Sequence, residues 1–284
     1  MNVKVALPIL LIILATGLLA PSLVGATASE QFFRRNSGIV DDWGVIRTRA
    51  DGTNGFLGVT SMGFEPIIAR ESLGERADVA WQLGEEFARK YPDRNQRAER
   101  IFNFVRDRVV YTSDSDQFGT PEFAQNADEV AATIVDQRAA QGDCEDSAVL
   151  LAVMYKAAGY RSAMVLMPGH VATVVHLPEY KKAARKLSLA GEGGWVWAEA
   201  TGATNPLGWV PETLISGQIV ASEVTAGALE AQGGGASAAT VEREPPKAGG
   251  GSSSIKGLLS LVAVVGLLWV MAGGRGARRR LRGR

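Results

Sequence analysis

Between Gln141 and Tyr180 the apolar period of the sequence changes once, and that change limits the folds open to this chain. The stretch reads QGDCEDSAVLLAVMYKAAGYRSAMVLMPGHVATVVHLPEY. Asp143 and Asp146 stand just ahead of an apolar run at the spacing of a helix cap, which predicts Cys144 as the first helical residue. Ala148, Leu151, Ala152 and Tyr155 recur at helical spacing and give that helix a buried face, with Gly159 as its C-cap. RSAMVLM and HVATVVHL then read as two strands joined at Pro168-Gly169. A polar, basic insertion at 179–194 precedes a third strand, GGWVWAEAT. Helices followed by antiparallel strands make an α+β domain.

Upstream, residues 29–71 read as a β-rich segment in which GVIRTR and FLGVTS form a hairpin across ADGTNG. Residues 72–91 carry Leu73, Ala77, Ala80, Trp81, Phe87, Ala88 and Tyr91 at helical spacing. A second helix is predicted from the cap Asp93, with Gln96 three residues on and Ala98, Ile101, Phe102, Val105 and Val109 along one face. VVYTS follows as a short extended segment, then a loop, then a short helix near 127–138. The folded unit is expected over 72–220.

The formal charge is zero, but it is unevenly spread: residues 29–254 hold every acid and carry a net charge of −8, while 255–284 are basic. A nucleic-acid partner is not expected, because that function needs a basic face. Residues 1–28 match a signal peptide, with Lys4, an apolar run at 6–20 and Ala26-Thr27-Ala28 as the cleavage pattern. Residues 255–274 contain 18 consecutive uncharged residues, and the Arg-rich tail follows at 275–284. That order predicts one transmembrane helix with a cytoplasmic C-terminus, membrane lipid as a partner, and the body outside the cytoplasm. Residues 221–254, rich in Gly, Ala, Ser and Pro, are expected to be a flexible linker.

The chain has one cysteine and two histidines, so a disulfide framework and CxxC-type zinc sites are excluded. A thiol is nucleophilic as the thiolate, which a helix N-terminus favours. A nearby histidine completes the activation, and a carboxylate orients that histidine through its second nitrogen. Cys144, a histidine and Glu199 offer those parts. An antiparallel pairing of 170–177 with 195–201 puts His176 beside the basic insertion and His170 level with Glu199, which selects His170. The acids flanking Cys144 would raise its pKa if they faced it; helix capping and a Ca²⁺ site made by Asp143, Glu145 and Asp146 are the two readings of them.

Gly142-Asp143-Cys144, Gly169-His170 and Trp197-Ala198-Glu199-Ala200-Thr201 together resemble the transglutaminase-like superfamily over about residues 72–215. The GDCED string is also similar to bacterial periplasmic transglutaminase-like cysteine proteases. Glu199 stands where the family has Asp, Ala200 where it has Pro, and Ala172 where it often has Trp. The resemblance implies a papain/transglutaminase-like core, a helical half packed on an antiparallel sheet. It implies a triad of Cys144 as nucleophile, His170 as base and Glu199 as orienter. It further implies an extracytoplasmic thiol hydrolase, a cysteine protease acting on protein or peptide through a Cys144 thioester. A crosslinking transglutaminase and an inactive peptide- or envelope-binding module are the alternatives. No cofactor is required on this reading, with Ca²⁺ as a candidate. The Cys144 N–H is the first oxyanion donor, and Gln137 and Gln141 are the nearby amide side chains for a second.

Overall fold

The computed structural model describes residues 31–35, 38–42, 47–48, 57–60, 63–66, 68, 79–167, 170–210, 219–225 and 239–243. The expected signal peptide (1–28), apolar span (255–274) and Arg-rich tail (275–284) lie outside the described residues. Among the described residues, no helix is long and apolar enough to cross a membrane.

The helices are α1 (Val79–Lys90), α2 (Arg94–Arg106), α3 (Asp114–Gln117), α4 (Ala127–Gln137) and α5 (Cys144–Ala157). Their starts follow local capping. Asp93 accepts the Gln96 N–H at 2.7 Å, as its spacing predicts. Asn126 and Glu129 cap α4 reciprocally, at 2.9 and 2.8 Å. Helix α5 is the centre of the helical layer. Every residue from Glu145 to Tyr155 is buried, so its AVLLAVMY run has no face turned to water. α1, α2 and α4 pack around it, and two strands close the remaining side.

Six antiparallel strands form a closed barrel. They are β7 (Ser162–Met167), β8 (His170–His176), β9 (Lys186–Leu189), β10 (Glu192–Ala198), β11 (Val220–Glu223) and β12 (Ala239–Arg243), in the order β10-β8-β7-β11-β12-β9. Period-two alternation gives the barrel two separate apolar sides. Ala163, Val165, Ala172, Val174, Trp195 and Trp197 pack in one cluster. Met164, Leu166, Val171, Val175, Val196 and Ala198, of opposite parity, pack with the helices.

One expectation is corrected here. Residues 221–254 are not a linker throughout: β11 and β12 fall in or against that stretch and complete the barrel, pairing with β7 and β9. Their VASE and ATVER segments are too short and too polar to stand out, and barrel closure, which leaves no open edge, recruits them. Within the polar, basic insertion, β9 pairs with β10.

In the N-terminal segment, β1 (Phe32–Arg35) pairs with β2 (Gly38–Asp41), and β3 (Leu57–Thr60) with β4 (Gly63–Pro66). Residues 57–60 of FLGVTS therefore pair with the residues that follow them, and most of the GVIRTR segment expected as their partner lies outside the described residues. Arg47 joins this segment to the helical layer. Its buried guanidinium reaches Asp41 at 2.6 Å, Glu129 at 2.9 Å and the Ala124 carbonyl at 2.8 Å. The Ala124 N–H returns to the Arg47 carbonyl at 2.9 Å. A short parallel pair, β5 (Val109–Tyr111) and β6 (Ala140–Gly142), leads the chain into α5.

Candidate active site

Helix α5 starts at Cys144, at the position its sequence predicts. The preceding N–H, of Asp143, donates to Asp146 Oδ2 at 3.2 Å. Gly142 makes the close entry possible, since a Cβ there would stand 2.8 Å from Asp146 Oδ2. The chain behind Cys144 packs on β8. The Thr173 hydroxyl donates to the Ala148 carbonyl at 2.6 Å, and the backbone of Val171 lies near enough to the Cys144 sulfur to oppose the rise in the thiol's pKa. The thiol is therefore placed against the residue that follows His170.

The register of β8 and β10 is the expected one. Trp195 lies opposite His176 and Ala198 opposite Thr173, so Glu199 emerges at the His170 end. His170 Nε2 lies 2.5 Å from Glu199 Oε2. Glu199 Oε1 accepts two bonds from Thr201, from its N–H at 3.1 Å and its hydroxyl at 2.6 Å. The Glu199 carbonyl accepts from the Asn205 amide, and the Asn205 carbonyl from Arg106 at 2.9 Å. The longer Glu side chain is accommodated because Glu199 lies just past the strand end, where Thr201 and Asn205 fold back onto it. Burial pushes its carboxyl up, but the bond to and charge of His170, with the Thr201 bonds, outweigh this and hold it below the ordinary value. His176 is at the other end of β8, bonded to the Gly193 carbonyl at 3.1 Å and packed against Trp195.

The thiol itself is not in the state that its helix position predicts. Cys144 Sγ donates to Glu145 Oε2 at 3.2 Å. Burial, then the charges of Glu145 and Asp143, push the thiol well above its ordinary value, against the opposing Val171 backbone. The dipole of α5 is outweighed because Glu145 is buried and turned toward the sulfur instead of toward water.

The candidate cation ligands Asp143, Glu145 and Asp146 are brought together, and two residues that the sequence did not single out join them. Carboxylate oxygens of Asp114, Glu122 and Glu145 lie within 4.8 Å of one another, as do those of Asp114, Asp143 and Asp146. Asp146 also has a structural role: its oxygens accept from the Gln125 N–H and side-chain amide, both at 2.8 Å. Asp114 accepts the Phe123 N–H at 2.6 Å through Oδ2. Its Oδ1, Asp143 Oδ1 and Glu145 Oε1 are buried with no hydrogen-bond partner. Burial, followed by Asp143, raises Asp114 to about 7 and raises Glu122, and burial lifts Glu145 and Asp146 well above the ordinary range. This many carboxylates cannot all ionise together without a compensating cation, and inward-facing oxygens are what a hard divalent ion binds. The donor set therefore fits Ca²⁺. Asp114 and Glu122 were not legible because they lie on a four-residue helix and a loop, far in sequence from Cys144.

Gln137 and Gln141 are both exposed, and Gln141 lies on the outer face of β6. Gln125, the amide nearer the site, is committed to Asp146 and to the Gln141 carbonyl.

Residues 82–212 match the family model described as transglutaminase-like superfamily. A comparison with curated proteins finds no match.

Proposed function

Since residues 82–212 are a transglutaminase-like superfamily domain, we propose that this chain is a thiol acyl-transfer enzyme, a cysteine protease that forms a thioester on Cys144. One observation carries the reading: His170 Nε2 is held at 2.5 Å by Glu199, one residue before Val171, whose backbone acts on the Cys144 thiol. With Nε2 engaged, Nδ1 is the nitrogen that takes the thiol proton. The sulfur attacks an amide carbonyl and the amine leaves with that proton. Water then resolves the thioester, with His170 as base and Glu199 steadying the imidazolium.

Asp114, Glu122, Asp143 and Glu145 would hold a Ca²⁺ ion. The ion would supply positive charge among carboxylates that otherwise crowd the thiol. A second reading is supported by the same acids: they attract an ammonium group, so an amine could replace water as the acceptor and crosslink proteins. On sequence grounds the domain is placed outside the cytoplasm, with 255–274 as the membrane anchor and lipid as its partner. Protease added to intact cells would then remove the domain, and protection from it would refute that placement.

The test uses the full chain in detergent with dye-labelled casein, with and without Ca²⁺ and a dansyl-labelled primary amine. Proteolysis lost in Cys144→Ala supports the protease. Cys144-dependent amine incorporation without proteolysis supports crosslinking. A wild type indistinguishable from Cys144→Ala in both assays refutes catalysis and leaves a binding module.

A further inference from the structure

We propose that the Tyr111 hydroxyl is the second hydrogen-bond donor to the oxyanion formed at Cys144. This rests on the acyl-transfer reading and supplies the donor that Gln137 and Gln141 do not.

The argument begins with register. In the parallel β5–β6 pair, Tyr111 is directly opposite Gly142, and the Thr112 N–H donates to the Gly142 carbonyl at 3.0 Å. Directly opposed residues project to the same face. Val110 and Gln141 are exposed, whereas Val109, Ala140 and Gly142 are buried, so Tyr111 belongs to the parity that faces inward. That face looks onto the start of α5, because the absent Gly142 side chain would collide with Asp146. Gly142 thus leaves room for a neighbouring ring where the chain enters the Cys144 turn.

Tyr111 is nonetheless 56% exposed. At the end of β5 it stands at the mouth of the site, where a substrate can reach it. After burial, the groups acting most strongly on its hydroxyl are Cys144, Asp143, Glu145 and Asp114 in that order, and all keep it protonated. A neutral phenol among carboxylates remains a donor. The nearby amide side chain is engaged: Gln125 bonds to Asp146 and to the Gln141 carbonyl.

In the step itself, the Cys144 sulfur bonds to the carbonyl carbon, its proton passes to His170, and the carbonyl π pair moves onto oxygen. The Tyr111 O–H and the Cys144 N–H hold that oxyanion. Collapse restores the carbonyl and expels the leaving group.

Two reagents that attack the same sulfur separate this role from a structural one. p-Nitrophenyl acetate acylates through an oxyanion, whereas iodoacetamide alkylates by direct displacement without one. With the full chain in detergent, Tyr111→Phe is expected to slow Cys144 acylation by about 10²-fold, the usual cost of one lost oxyanion donor. Its alkylation rate and melting temperature stay at the wild-type values. Equal slowing of both reactions, or of neither, overturns the assignment to Tyr111. A p-nitrophenolate burst that Cys144→Ala does not remove overturns the acyl-transfer reading as well, so the two failures are distinct.

Discussion

His170 Nε2 and Glu199 Oε2 are 2.5 Å apart, and that contact leaves Nδ1 as the imidazole nitrogen the proposed mechanism uses. Thr201 bonds to the other Glu199 oxygen, so the carboxylate cannot turn away without breaking two further hydrogen bonds. Glu199→Gln should therefore lose the charge and disturb the imidazole tautomer while keeping the shape. Acylation of Cys144 by p-nitrophenyl acetate is expected to fall by about 10²–10⁴-fold. Less than a three-fold change would show that Glu199 does not act on His170 during the reaction.

The same contact has a pH consequence. The Glu199 carboxyl lies below its ordinary value in the folded protein, through His170 and Thr201. Its ionised form then stabilises the fold above the unfolded value of about 4.3, and that contribution is lost as pH falls through the lower folded value. The stability deficit of Glu199→Gln, measured by denaturant midpoint, should be full at neutral pH and shrink below about pH 4.3. A deficit that grows on acidification would contradict the sign.

Asp114, Asp143 and Glu145 each present a buried oxygen without a hydrogen-bond partner. Ca²⁺ that binds there adds stability by mass action, about 2.7 kcal/mol at a hundred times its dissociation constant. The melting temperature of the full chain should rise with Ca²⁺ and stop responding in Asp114→Asn. An equal rise in the variant would place the ion elsewhere.

Arg47 ties the N-terminal hairpin to the loop before α4 through Asp41, Glu129 and Ala124. Arg47→Met should cost about 3–5 kcal/mol, because buried carboxylates are left without that guanidinium. Urea denaturation checks it, and a loss below about 1 kcal/mol would show that the surroundings compensate.

How much of the site could be read in advance follows from the range of each interaction. The start of α5 at Cys144 was legible because capping spans three residues. The choice of His170 over His176 was legible because strand register and parity are counted along the chain. The transglutaminase-like order of Gly-x-Cys, Gly-His and Trp-x-Glu was legible for the same reason. The fate of 221–254 was not, since short polar strands carry little apolar signal and are specified by their neighbours in the barrel.

By itself the sequence determined the α+β class, the helix that begins at Cys144, and the pairing of His170 with Glu199. These depend on capping, period and register, which act over a few residues or along one strand pair. Only the tertiary structure decided that Glu145 turns inward onto the Cys144 sulfur. It alone brought Asp114 and Glu122 into one carboxylate cluster and set Tyr111 opposite Gly142. Those arrangements arise where separate loops and strands pack together, and the resulting burial, rather than residue type, sets which carboxyls and which thiol keep their protons.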